Sequence, residues 1–357
     1  MLFVPLSLMS LSAAATLFSL LNLLLWAWAA YLTRRVVRGC FPARDGGLLP
    51  FLLAIGFSAQ FFLDNFHHVQ MNGVILVLTL LGIDAYLQRR DRTAAGYLVT
   101  ATAIKLTPIF FLAWLAIRGR RRAVLALPAA GLACIVAPLL ARMPAKGAAD
   151  LLDYYRSFLG PQQRASLDEY AVGHNLAALV ARMTRPSRDH QGDQRSYRYL
   201  PASERTARIA YEGVWLAVLA AFLLKLAWLR RRGAAVTALE FSMVFLTGLL
   251  LSPISFTHHL VSLLFVFYAF LRSGLAALWP RHRIIALLLL CALGFIGVSG
   301  RDLVGSGLYL FVRGYSLIAW TMLLLFAAAI AAAPATPGHL EVSPSGRRPA
   351  SANGAET

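Results

Sequence analysis

Nine long apolar runs constrain this chain more than any other feature: residues 10–31, 48–63, 70–87, 123–141, 211–229, 236–251, 260–272, 283–299 and 314–333 are almost free of charge. A bilayer core of about 30 Å is crossed by roughly 20 apolar residues in a helix. Lipid offers the backbone no hydrogen-bond partners, so a spanning helix must satisfy its own. The chain therefore reads as an all-α polytopic membrane protein of about nine transmembrane helices. Hydrophobic residues are 59% of the 357 and charged residues 14%, which excludes an ordinary soluble domain. The first run, within "SLSAAATLFSLLNLLLWAWAAYL", has no positive charge before it and no small-residue cleavage site with a polar flank, so it reads as a span rather than a signal peptide.

A net charge of +18 invites a nucleic-acid partner, but the placement of the charge argues against one. Of the 34 basic residues, 17 fall in five short loops, around Arg34–Arg44, Arg89–Arg92, Arg118–Arg122, Arg230–Arg232 and Arg272–Arg283. Putting those loops in the cytoplasm leaves only Arg301 and Arg313 in the short outer loops, the positive-inside pattern. Loop 142–210 holds eleven more, but a loop that long is exempt from the rule. Cys40, Cys134 and Cys291 show no paired or metal-type spacing. Residues 334–357, rich in Pro, Ser, Gly and Ala, read as a disordered cytoplasmic tail after a transmembrane domain over 1–333.

One segment breaks the alternation of sides. "RRDRTAAGYLVTATAIKLTPIFFLAWLAIRGRRR" starts and ends in basic clusters yet contains a single apolar run. A re-entrant helical hairpin resolves this, with two short helices over 93–104 and 107–117; the alternative is a single tilted span kinked at Pro108, with Lys105 snorkelling. Pro108 disfavours helical geometry at Thr107, which puts the bend at "IKLTP" and Lys105 at its buried tip. Ionisable groups at that depth are functional candidates.

With the hairpin in place, the polar interruptions "LDNFHHVQMN", "SPISFTHH" and "GRDLVGSGLYLFVRG" all fall on the outer side, as loops, together with 142–210. Such clustering implies a wet-lipped site at the outer leaflet. Within the large loop, Leu151, Leu152, Tyr155 and Phe158 repeat at helical spacing, and 175–183 makes a second short helix capped by Asn175; both read as amphipathic helices on the membrane surface.

Three stretches in order resemble glycosyltransferase family 87, the polyprenyl-phosphate-dependent, mannosyltransferase-like enzymes of the GT-C superfamily. "VQMNGVILVLTLLGIDAYLQRRDRTAAGYLVTATAIKLTPIFFL" resembles the family's Gly-Gln-x-Asn, basic-loop, Ala-Gly and Lys-x-x-Pro series. "VGHNLAALVAR" resembles its Asn-Gln-Ser-Leu segment, and "SPISFTHHLVSLL" its Ser-Pro-Ile-Ser-Trp-x-His-His run. Val69 stands where the family has Gly, His174 and Asn175 replace Asn-Gln-Ser, and Phe256 replaces Trp. The first span looks like the family's second, and the resemblance therefore implies that an earlier helix and an outer loop with the expected acidic base are missing.

The resemblance implies a GT-C-like bundle at the cell (inner) membrane, active on its periplasmic or extracellular face. It would move a mannose-like hexose or pentose from a polyprenyl-phosphate donor to a glycolipid or glycan of the cell envelope. A carboxylate takes the acceptor proton, and cationic or donor groups stabilise the leaving phosphate. Asp64 is the substitute base, with Asp153, Asp168 and Glu169 as competitors, while Asp302 reads as an interfacial partner for Arg301. His67, His68, His258, His259 and Lys105 are the phosphate partners; Gln70 and Asn72 serve the sugar or brace the hairpin, and His174 and Asn175 are further substrate-binding candidates. No cofactor is assigned. Four histidines at two outer loops are competent ligands for a divalent metal, but adjacent His-His pairs are not a diagnostic spacing. Two other readings stay open: a sugar or lipid transporter, which predicts internal pseudo-symmetry and a polar path to both sides, and a silent, truncated relative acting as a binding subunit.

Overall fold

A computed structural model describes residues 8–40, 47–141, 144–154, 156–157, 173–184, 199–275 and 283–332. The expected tail, and Tyr155, Phe158, Asp168 and Glu169, lie outside these residues. Among the described residues the chain is helical throughout, without strands: α1 (Leu11–Gly39), α2 (Leu49–His67), α3 (Asn72–Leu87), α4 (Asp91–Ile104), α5 (Ile109–Arg118), α6 (Arg121–Ala141), α7 (Pro144–Tyr154), α8 (Leu176–Thr184), α9 (Glu204–Arg231) and α10 (Ala238–Leu251). A 3-10 turn (Thr257–Ser262) leads into α11 (Leu263–Ala269), followed by α12 (Arg283–Val298), α13 (Arg301–Gly314) and α14 (Leu317–Ala332).

Each apolar run carries a helix, yet the helices differ in reach. Among the described residues α1, α2 and α9 are long and apolar enough to cross a membrane alone, and α12 with α13, bent by 119°, makes a fourth if counted as one span. The 16-residue helices α3 and α14 reach only about 24 Å at 1.5 Å per residue. "GRDLVGSGLYLFVRG", expected as a loop, is instead mostly helix α13, interrupted at Gly305 where φ is +75°. Local sequence sets several ends: Ser10, Ser203 and Thr237 accept N–H bonds from Ala13, Thr206 and Glu240, and Pro50 stands in the first turn of α2, where its missing N–H is harmless.

The segment 91–118 folds as two short helices broken at 105–108. Its ends meet: the Tyr86 hydroxyl donates to the Arg118 carbonyl at 3.3 Å, and Arg120 reaches Asp91 through Nε at 2.7 Å. Its tip returns to the start of α3, where Lys105 meets Asn72. Close packing allows this. A Cβ on Gly82 would fall 2.7 Å from Leu98 Cγ between α3 and α4, and one on Gly248 would fall 3.0 Å from the Thr107 carbonyl oxygen between α10 and the tip.

The bundle thus has two chemically distinct ends. At the arginine end, Arg35 pairs with Asp84 at 3.0 Å, and Arg120 with Asp91. Arg118 grips Glu240 with two nitrogens at 2.8 and 3.1 Å, while Trp114 Nε1 donates to the same carboxylate at 2.6 Å. Asp84, Asp91 and Glu240 are thus committed to arginines at this end. Polar groups of other types gather at the opposite end.

Candidate active site

The turn between α2 and α3 builds the first half of the site. The Val69 N–H donates to the Phe66 carbonyl, and the Gln70 N–H to that of Asn65, both at 3.0 Å, so the helix ends in a left-handed residue of the kind glycine usually supplies. Here that residue is Val69, with φ +50°. A β-branched side chain in this region is strained by roughly 1–2 kcal/mol. Val69→Gly is therefore expected to stabilise the protein by about 1 kcal/mol after the extra flexibility of glycine is deducted. Thermal unfolding in detergent checks this; an unchanged or lower midpoint would remove the strain argument.

That turn places a line of carboxamides. Lys105 Nζ donates to Asn72 Oδ1 at 2.6 Å. The Asn72 amide donates to Asn65 Oδ1 at 3.0 Å and to the His258 carbonyl at 2.9 Å. Asn65 donates in turn to Asn22 Oδ1 at 3.2 Å and to the Gln70 carbonyl at 3.1 Å, and Asn22 to the Phe18 carbonyl at 3.1 Å. All three asparagines are buried. Every polar atom in this relay is used, as burial demands, and its direction is fixed because Lys105 can only donate.

Counting from Asn22 to Arg35 gives 13 residues, so the relay lies about 20 Å from the arginine end. Eleven residues of α1 continue beyond it, about 16 Å. The site is sunk beside α1 rather than set on the rim of the bundle.

The second half comes from the break after α10. Pro253 ends that helix, and its freed carbonyls are taken up from elsewhere: Asn175 Nδ2 donates to Ser252 and Pro253 at 2.7 and 2.6 Å, Trp215 Nε1 to Leu251 at 3.2 Å, and the His174 N–H to Ser255 at 2.6 Å. Asn175 Oδ1 also accepts from the Ala178 N–H at 2.8 Å, capping α8. Helix α8 is not a surface helix: residues 176–182 are all buried, and Arg182 ties it to the Gly173 carbonyl and to Ser316 Oγ. His174 Nε2 lies 3.2 Å from Thr257 Oγ1. Burial first, then Arg182 and Arg313, hold this imidazole well below its usual 6.5, so it stays neutral. His174 and Asn175 thus brace the loop that carries the next two histidines.

That loop delivers His258 to α2. Its Nδ1 lies 3.2 Å from Asp64 Oδ2, and His68 Nδ1 lies 3.4 Å from Asp64 Oδ1. The His68 and His258 rings are 5.0 Å apart. His67 is exposed and meets only the His68 ring edge among the described contacts. His259 turns the other way: its Nδ1 accepts the Phe256 N–H at 3.2 Å. With Lys105, Asn72, Thr107, Val244 and Ser262 it lines a cavity of about 50 Å³. At about 10–15 Å³ per water this holds a few waters and no sugar ring. Gln70 contributes backbone groups to the turn. Asp153 is exposed on α7.

Asn22, Asn65, Arg182 and Trp215 are members of this architecture that sequence reasoning passed over. For Asn22 a signal was available, since a carboxamide inside "SLLNLLLW" must find a partner in lipid.

A family model described as glycosyltransferase family 87 matches residues 1–253, a span holding Asp64, the relay, Lys105 and Asn175 and stopping five residues before His258. No curated protein and no solved structure matches the chain.

Proposed function

The chain belongs to glycosyltransferase family 87 and is a membrane glycosyltransferase; from that premise we propose that it moves a mannose-like hexose or pentose from a polyprenyl-phosphate donor to a hydroxyl of a cell-envelope glycolipid or glycan. One observation carries this reading: a carboxylate, two imidazoles and an ammonium, drawn from α2, the hairpin tip and the loop after α10, are tied into one cluster at the end opposite the arginines. The arginine end is assigned to the cytoplasm by the positive-inside rule, so the cluster faces the periplasm or exterior. An amphiphilic donor suits a reactive centre sunk among lipid-facing helices.

In the proposed step the acceptor oxygen bonds to the anomeric carbon as the carbon–oxygen bond to phosphate breaks. The phosphate leaves with the electron pair, and the acceptor proton passes to Asp64. Lys105 has one protein partner among the described residues, leaving two N–H donors for the leaving phosphate. Asn72 holds the ammonium in place and, through the His258 carbonyl, fixes its position relative to the histidines.

Membranes carrying wild type or Lys105→Ala, given a panel of polyprenyl-phosphate sugars, test this. Loss of one such donor at developing charge typically lowers turnover about 10²–10³-fold. Equal transfer by the two proteins would remove Lys105 from the chemistry.

A further inference from the structure

Asp64 and His68 are one helical turn apart at the end of α2, so their side chains share a face. His258 closes on that face from the loop after α10. One ligand atom from each of the three residues lies within 4.8 Å of the other two. We propose that Asp64, His68 and His258 form a binding site for a divalent transition-metal ion, with Zn²⁺ as the best fit.

Three observations support the assignment. The 3.2 and 3.4 Å separations between the carboxylate and the two imidazole nitrogens are long for charge-assisted hydrogen bonds, which run about 2.7–2.9 Å. They run to different oxygens of Asp64, Oδ2 and Oδ1, so the carboxylate faces both imidazoles without holding either one closely. Two imidazoles and a carboxylate are also a donor set suited to Zn²⁺ and its neighbours rather than to Mg²⁺ or Ca²⁺. Finally, the ligands are graded in exposure: the His258 side chain is 10% exposed, Asp64 28% and His68 48%. The open side leaves a coordination position for water or a hydroxyl, as in zinc sites that do chemistry.

One contact must change on loading. His68 Nδ1 lies 2.9 Å from the Asp64 carbonyl oxygen, so the ring has to swing away from it to ligate. Its exposure leaves room to do so. His259 takes no part, because its Nδ1 is held by the Phe256 N–H. The site rests on this geometry and not on the glycosyl-transfer reading.

The test uses the full chain in detergent micelles, purified through a tag without histidine, stripped with a chelator and titrated with Co²⁺ and then Zn²⁺. Wild type should take up one Co²⁺ per chain, with the visible absorption of a low-coordinate centre, and Zn²⁺ should bleach it. His68→Ala, at an exposed position, and the isosteric Asp64→Asn should each bind at least about 100-fold more weakly, since even outer-sphere changes weaken metal sites about 10–100-fold. His67→Ala should bind as wild type does. Absence of saturable binding at one equivalent, wild-type affinity in both ligand variants, or equal loss in His67→Ala would each overturn the site.

Discussion

Replacing Asp64 by asparagine is expected to lower glycosyl transfer about 10²–10⁴-fold, the usual contribution of a positioned general base. The change is nearly isosteric, and the new carboxamide still reaches His258 and His68, so the α2–α3 turn should persist. Lys105 and Asn72 are untouched, so the donor should still bind. Transfer of a labelled sugar, measured beside photo-crosslinking of a polyprenyl-phosphate donor analogue, separates the two. Crosslinking near wild type with transfer lost is the expected pattern. Transfer within a few-fold of wild type would place the proton acceptor elsewhere, with Asp153 the first described acid to examine.

The second large effect lies at the other end. Glu240 is 1% exposed and the Arg118 side chain 6%. Glu240→Ala strands that guanidinium, together with the Trp114 N–H, in the interior. Breaking a buried pair from one side typically destabilises by about 3–5 kcal/mol, whereas replacing both partners by apolar residues is often neutral. Thermal unfolding of the single variant and of the double variant Arg118→Met with Glu240→Leu should therefore give a deep loss and a substantial recovery. A double variant as unstable as the single one would mean that the pair is not what holds this end.

The hairpin was legible because two rules conflicted there: basic clusters at both ends and a single apolar run between them admit few solutions, and Pro108 marks the bend. The arginine end was legible too, since Asp84, Asp91 and Glu240 adjoin basic loops. The relay was not. Asn22, Asn65 and Asn72 sit on three helices, and only the packing of α1 against α2 and α3 reveals that each answers another. Helix α8 misled for a related reason: amphipathic spacing shows that one face is apolar, and nothing in 175–183 says whether lipid or protein covers it. The segment 300–314 was read as a loop because it is a polar interruption joining the last two apolar runs, yet a single kink at Gly305 is all that its four glycines demand of the backbone. In the proposed catalytic half, Asp64 and His258 are 194 residues apart, and their meeting depends on carbonyls that Asn175 and Trp215 hold from outside either motif.

The hairpin is also a lever. Its feet, Asp91 and Arg118, are bolted to Arg120 and Glu240, and Lys105 rides at the top of a strut of 14 residues, about 21 Å long. Tilting such a strut by about 3° swings its top through about 1 Å, a misplacement that can slow an enzyme about 100-fold. On the proposed mechanism, the aim of the ammonium is therefore set from the arginine end of the bundle, remote from the reacting groups.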